Sequence, residues 1–307
     1  MAARRLTQRG LRVRVIEATG VVGGRVRTYR RFSGGAHGEL GGELLEEGNA
    51  RTLALLDEVG LSRVRVLRRR FAMWEDAGTH GQRGWARLDD FLAPMARAWR
   101  RARRSWSSPL AARLARVSVE DWLDTVEADA QTRRSCRSLS RGMMLASPRR
   151  LSLLQLVDEW TGGGGGPRAT FYRIRGGNDQ LPQRLAAGLA ESVVLRAPVT
   201  HVERTRRGCV VSARVGRKMR TFEGDGVVVA LPPRPLLRVT FSPPLPARLH
   251  RALATIGFGG VTKSVLLLER SGWRRCGPGG AWGSDARAGS FWDPGEGQAG
   301  HPPLLSV

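Results

Sequence analysis

LRVRVIEATGVVGGRVRT, residues 11–28, decides how this chain is to be read. Apolar and basic residues alternate up to Glu17, the period-two pattern of a strand with one buried face. Ahead of it, residues 2–9 carry a helical pattern that stops at Gly10, a residue suited to the left-handed C-cap of a helix. Helix, glycine, strand and acid in that order form the second half of a βαβ unit. There, an acid at the end of the second strand is placed to accept hydrogen bonds from ribose hydroxyls. Gly23 and Gly24 allow either a tight turn or close approach of the backbone to a ligand, and Arg25 offers charge-assisted bonds to a pyrophosphate.

Outward from that stretch, 307 residues with 41% apolar side chains and nine Trp describe a globular chain with a sizeable core, longer than one typical domain. Its formal charge of +24 invites a nucleic-acid reading. Of 51 basic residues, however, all but Lys218 and Lys263 are arginine, and they are spread through nearly every segment. This reads as a coding bias toward Arg on solvated surfaces that attracts polyanions without specificity, so no specific nucleic-acid partner is expected. Cys136, Cys209 and Cys276 are odd in number, far apart and form no CxxC pair, so neither a disulfide framework nor a zinc knuckle is suggested, and a reducing cytoplasm fits. No run approaches the length of a membrane span, and MAARRLTQRG lacks the apolar region of a signal peptide. The histidines, His37, His80, His201, His250 and His301, show no metal-ligand spacing, and no GxSxG elbow occurs.

Further along, the spacing predicts a helix from Asn49 to Val59, closed by Gly60. Between 69 and 160 it predicts helices with short strands around RFAMWED and GWARL, and Ser118 with Asp121 marks a helix start through VEDWLDTVE. ARAWRRARRSWSSPLAARLAR, residues 96–116, is either the solvated face of a bundled helix or a segment lying on an anionic membrane. Five glycines at 162–166 make a linker or a loop close to a ligand. A helix in NDQLPQRLAAGLAE and strands in SVVLRAPVTHVERT, CVVSARV, KMRTFEG, GVVVALPP and FGGVTKSVLLLE follow, and the last residues, HPPLLSV, read as part of one more strand.

Seven stretches in order carry a resemblance: VRVIEATGVVGGRVRT, ELGGELLEEGN, YRIRGGNDQLPQRLAAGL, LRAPVTHVE, GVVVALPP, TFSPPLP and VTKSVLLLE. Together they resemble successive blocks of the flavin-dependent amine oxidase family, which includes monoamine and polyamine oxidases and is similar to protoporphyrinogen oxidases and carotenoid desaturases. The resemblance implies an α/β fold in which an incomplete Rossmann-like FAD-binding domain, residues 1–68 and 176–241, is interleaved with an α+β substrate domain, residues 69–175 and 242–307. It implies FAD as cofactor, a small amine or apolar molecule as substrate, and oxygen as the final acceptor. By position, Glu17 would bind the adenosine ribose, and Gly24 and Arg25 would lie along the diphosphate. Gly41, Gly42, Glu43 and Leu44 would pass beside the isoalloxazine ring, and the backbone of Val199 would hold adenine. Glu46 lies where polyamine oxidases place an acid near the substrate.

Lys263 stands out on its own chemistry. In a chain that uses Arg almost everywhere, it sits in an apolar strand pattern, where a compact ammonium does work that a planar guanidinium cannot. The matching family lysine holds a water near the flavin N5. The family's opening strand, its GxGxxG turn and its last flavin-contacting segment have no counterpart in residues 1–307, so the resemblance makes this an incomplete FAD domain expected to bind FAD weakly or not at all, and an inactive fragment is one reading. A desaturase-like or porphyrinogen oxidase-like flavoenzyme is the alternative within the superfamily. A non-catalytic, Arg-rich module binding an anionic partner is the alternative outside it.

Overall fold

Several helices begin where the sequence supplies an oxygen. Ser108 Oγ accepts from Ala111 N at 3.1 Å, Ser118 Oγ from Asp121 N at 3.1 Å and Asp129 Oδ1 from Thr132 N at 2.7 Å. Each satisfies a backbone donor that the first turn leaves open. These caps open the helices Pro109–Ala115, Val119–Thr125 and Ala130–Gly142. The computed structural model describes residues 1–68, 71–73, 83–162, 170–275, 281–284 and 288–307. Cys276, His80 and residues 163–166 of the glycine run lie outside the described residues, as does the end of RFAMWED.

By compactness the chain divides into one unit of Met1–Arg25 with Asp179–Phe258 and another of Val26–Asn178 with Gly259–Val307. Residues 26–68 thus group with the helical middle of the chain, whereas the sequence-based division puts them with residues 1–25. The reason is pairing: Leu45–Glu46 and Arg63–Val66 both form antiparallel ladders with Phe171–Ile174.

In the larger unit, the helix Arg83–Arg101 buries Trp85, Leu88, Leu92, Ala96 and Trp99, spaced by three or four residues along one face. GWARL is therefore the start of this helix and not a short strand, because burial of that face against Ala130–Gly142 and Leu153–Gly162 overrides a local strand pattern. The same packing decides the reading of residues 96–116: Trp99, Ala111 and Leu114 are in the core of a helical bundle. Two indoles in it are satisfied by carboxylates, Trp99 Nε1 donating to Asp158 Oδ1 at 2.7 Å and Trp160 Nε1 to Asp89 Oδ1 at 2.8 Å. Burial pushes the Asp158 carboxyl up, but bonds from Arg104 and Trp99 outweigh it and hold the group below the usual range. Cys136, free and buried in this core, has its thiol pushed up to about 12 by desolvation, which keeps it unreactive.

Beside the bundle, the larger unit contains a five-stranded sheet in the order Val265–Leu267, Leu304–Ser306, Ser290–Trp292, Ala281–Gly283, Phe71–Met73. FGGVTKSVLLLE contributes only Val265–Leu267 to it, so Lys263 lies just before the strand and not inside it. A hairpin of Thr28–Tyr29 with Gly38–Glu39 completes the unit's strands among the described residues.

The smaller unit is built on an antiparallel meander, Val199–Thr205, Gly208–Val215 and Lys218–Gly224, with Thr240–Ser242 added parallel to the first strand. Val15–Ile16 pairs in parallel with Val193–Val194. This is shorter than the strand expected over LRVRVIE. GVVVALPP forms no strand: a strand is defined by a paired neighbour, Val227, Val228 and Val229 have none among the described residues, and they are 45%, 65% and 41% exposed. The helix expected from Asn49 to Val59 runs Ala50–Glu58 and buries Leu55 and Leu56. No helix among the described residues is long and apolar enough to cross a membrane.

Candidate functional site

Two glycines bring the parts of the site in the larger unit together. A Cβ on Gly38 would fall 2.7 Å from Val265 Cγ1, and one on Gly177, at φ +118°, would fall 2.6 Å from Thr28 Cγ2. Any side chain at either position would force the hairpin away from the Val265 strand or away from the 176–178 turn. Asn178 then fastens that turn to residues 39–43. Its backbone N donates to Glu39 Oε1 at 2.8 Å, and its Nδ2 donates to the carbonyls of Gly42 at 3.1 Å and Glu43 at 2.6 Å. Its Oδ1 accepts from Ile174 N at 2.9 Å, so one buried amide ties both segments. Glu39, 2% exposed, also accepts from Thr28 Oγ1 at 2.9 Å.

This scaffold delivers the carboxylate of Glu43 into a buried charged cluster. Oε1 accepts from Arg173 Nη2 at 2.7 Å and from Trp292 Nε1 at 2.9 Å, while Oε2 is paired with Lys263 Nζ. The ammonium also lies over the Trp292 ring, 5.1 Å from its centroid. Arg173 donates further to the carbonyls of Asp293, Pro294 and Glu296 at 3.2, 3.1 and 3.3 Å. Burial pushes the Glu43 carboxyl up, but the charges of Arg173 and Lys263 and the bonds from Lys263 and Trp292 hold it below the usual carboxylate range. Side-chain exposure is 4% for Glu43, 6% for Arg173 and 17% for Lys263, so the lysine is the least buried of the three charged side chains.

Around Glu43 and Arg173 is a cavity of about 320 Å³, the size of a small-molecule site. His37, Glu39, Arg175, Glu296 and Gln298 supply its remaining polar lining. Of the other residues expected here, Leu44 packs beside the small core of Val66, Leu67, Phe171 and Ala281. Glu46 sits on the strand Leu45–Glu46, its carboxyl pushed up by burial and by the charge of Glu159. A Cβ on Gly42 would meet only Val26 Cγ2, at an ordinary 3.7 Å, so the protein's own packing does not demand glycine there.

Glu17, Gly24, Arg25 and Val199 belong to the smaller unit. Glu17 follows the strand Val15–Ile16, and its Oε1 accepts from Thr19 N and Oγ1, both at 2.8 Å. Its backbone carbonyl accepts from Ala197 N at 2.9 Å, which brings it close to the start of Val199–Thr205. Gly24, at φ +57°, and Arg25 are exposed, and no protein atom lies within 4 Å of a Cβ built on Gly24. The structure gathers Gly42, Glu43 and Lys263 around one cluster and assembles Glu17 near Val199. The sequence reading missed Arg173, Asn178 and Trp292. Asn178 was visible only as the polar residue after a glycine pair and Arg173 as the first of two arginines ahead of it, and Trp292 carried no signal at all. Among the described residues no group of His, Cys, Asp and Glu could hold a metal ion.

The whole chain, residues 1–307, matches the family described as flavin containing amine oxidoreductase. It is 28% identical over 296 residues to a Mycobacterium tuberculosis protein named as a flavin-containing monoamine oxidase, covering 90% of this chain and 64% of that protein. It is 29% identical over 307 residues to the putrescine oxidase of Kocuria rosea, covering 89% of this chain and 63% of that enzyme. The chain thus spans a little under two thirds of the length of both. A solved structure of putrescine oxidase bound to putrescine is similar at a TM-score of 0.83 and 27% identity, over 99% of this chain and 71% of that one.

Proposed function

The chain belongs to the flavin-containing amine oxidoreductases, and from that premise we propose that it serves the FAD-dependent oxidation of a small amine by oxygen. The observation that carries this reading is the family match over all of residues 1–307. Its chemistry removes two electrons and two protons from an amine bearing a hydrogen on the adjacent carbon, giving an imine. Water then converts the imine to a carbonyl compound and ammonia or a smaller amine, and oxygen leaves as hydrogen peroxide. Bound flavin supplies the electron transfer in such a site, and the protein supplies binding and orientation.

The residues present fit that role at the points where their surroundings can be judged. Gly42 is a glycine that nothing in the chain's own packing requires, which suits a turn passing beside a flat ring. Glu17 keeps Oε2 clear of the Thr19 bonds, leaving an acceptor for a ribose hydroxyl. Arg25 would face the diphosphate, and Gly24 would let the backbone come close to it. Val199 would offer backbone groups to adenine, and Gly41 and Leu44 would flank the ring as the family pattern implies. Lys263, paired with Glu43 over Trp292, would offer an ammonium N–H toward the flavin. Putrescine, the diamine named for one relative, and a simple aromatic monoamine are the substrates to compare.

The test uses the full chain. It is mixed with excess FAD and gel-filtered, and the visible flavin absorption retained with the protein is recorded. Peroxide release is then followed with each amine. Flavin retained in less than stoichiometric amount, bleached by an amine without oxygen and giving peroxide on readmitting it, is the expected result. A chain that takes up no flavin at any FAD concentration overturns the cofactor assignment for residues 1–307, and retained flavin that no amine reduces overturns the reaction.

A further inference from the structure

Two cations share one buried carboxylate in this cluster, and the way its bonds are distributed constrains each partner differently. An ammonium has three N–H donors and a free rotation about its last bond, so a lysine by itself presents no fixed direction. In Lys263 one donor goes to Glu43 Oε2, and the Trp292 ring lies on another side of the nitrogen. The side chain as a whole keeps 17% exposure, so the cluster leaves this lysine open on one side, where a remaining N–H can be presented. Glu43 cannot follow the lysine if it moves, because its second oxygen is taken by Arg173 and by the Trp292 indole. Arg173 is in turn clamped by the three carbonyls of residues 293, 294 and 296. Constraint therefore runs from the 293–296 turn through Arg173 to Glu43, and from Glu43 to the ammonium.

Stability alone does not account for this arrangement, since a buried ion pair is often no better than apolar side chains of the same volume. Three charges where two would neutralise leave one positive charge in excess, next to the cavity wall that Glu43 and Arg173 form.

We infer that Glu43 is a positioning residue for Lys263, locked by Arg173 and Trp292 so that the ammonium presents its remaining N–H as a fixed donor on the open side of the cluster. This deepens the amine-oxidation reading and rests on it for the purpose of that donor. Glu43 thus acts through the lysine with its side chain, a different part from backbone passing beside a cofactor ring.

The test needs no cofactor and exploits a peculiarity of the sequence. Lys218, exposed at the start of Lys218–Gly224, is the one other lysine and serves as an internal reference. The folded chain is treated with limiting formaldehyde and borohydride, and methylation of each lysine is read by peptide mass spectrometry. In the wild type Lys263 should be labelled much more slowly than Lys218. Glu43→Gln should raise the Lys263 to Lys218 ratio by roughly 2- to 150-fold, the span of ordinary coupling between contacting charged groups. Glu43→Asp, which keeps the charge, should return most of the protection. If Glu43→Gln does not fold, Trp292→Phe carries the test. It removes one donor from Glu43 while keeping a ring under the ammonium, and should raise the ratio by a smaller factor.

A folded Glu43→Gln chain, or in its place Trp292→Phe, labelled at the wild-type ratio overturns the inference. So does Glu43→Asp labelled as fast as Glu43→Gln, because that would mean packing and not the carboxylate protects the lysine. The two readings fail separately. A wild-type chain that oxidises no amine while the Glu43 variants shift the ratio sinks the function and leaves the positioning. Amine oxidation with an unmoved ratio does the reverse.

Discussion

The helical segment of the larger unit and the meander of the smaller one bury their side chains in different ways. From residue 83 to residue 162 the helices bring large groups to zero exposure, among them Leu88, Leu92, Trp99, Leu123 and Leu156. In the meander the buried side chains are Val202, Cys209, Val211 and Ala213, all small, while Met219 beside them is 57% exposed. A helix surrounded by other helices is covered on a broad stripe, whereas a sheet with one covered face buries alternate residues only. The difference teaches where each part of the site gets its rigidity. Glu43 is held in the larger unit by partners more than 100 residues away in sequence, Arg173 at one end and Lys263 at the other. The carboxylate of Glu17 is held by a threonine two residues on.

The largest expected effect tests that contrast directly. Trp99→Ala removes a fully buried indole and one of the bonds to Asp158, and should cost about 3–5 kcal/mol of unfolding free energy. Val211→Ala removes two buried methyl groups and should cost about 1.5 kcal/mol. Urea unfolding followed by far-UV circular dichroism measures both. Equal costs would break the comparison, because the meander would then be as tightly packed as the bundle despite its smaller side chains.

Next in size is the acid response of the Glu43 cluster. The folded carboxyl titrates below its ordinary value of 4.5. Its stabilising contribution is therefore complete above that value and is lost as the pH falls through the lowered one. Glu43→Gln removes the titrating group and leaves Arg173 and Lys263 buried without their anion, at a cost of about 3–5 kcal/mol near neutral pH. The gap between wild type and variant should close steadily below pH 4.5. Thermal melts of the two chains along a descending pH series measure it, and a gap that stays constant into acid would show that the carboxylate is not the source of the stability.

These contrasts also show which features could be read in the sequence. Ser118 with Asp121 announced a helix start, and the structure has that bond at 3.1 Å, because a cap is a contact between residues three apart. The meander was legible because each strand and turn carries its own short-range pattern. GWARL misled because a short strand-like pattern weighs less than a face of five buried residues extending to Trp99. GVVVALPP misled for the opposite reason: its composition is that of a strand, but strand formation depends on a neighbour that the segment's own sequence cannot specify. Lys263 was visible because it is one of two lysines among 51 basic residues. Its partner was not, since Glu43, Glu46 and Glu47 are one acidic stretch in sequence, and only the fold decides which of them meets a cation.

That last point yields the smallest effect and the most discriminating one. Glu46 lies three residues from Glu43, yet burial and the charge of Glu159 push its carboxyl above 4.5 where its neighbour's is pulled below. The sign of its contribution reverses accordingly. Below pH 4.5 the group is protonated whether the chain is folded or not, and it contributes nothing. As pH rises from there through the raised folded value, the unfolded chain ionises first and stability falls, and above both values the penalty is fully present. Glu46→Gln should therefore stabilise the chain near neutral pH, by no more than about 0.5 kcal/mol for a half-buried group, and lose that gain in acid. Melting temperatures of wild type and variant at neutral pH and in acid read the difference. A destabilised Glu46→Gln at neutral pH would mean that Glu46, like Glu43, has a cationic partner, and the two carboxylates would then belong to one charged site instead of responding to pH in opposite directions.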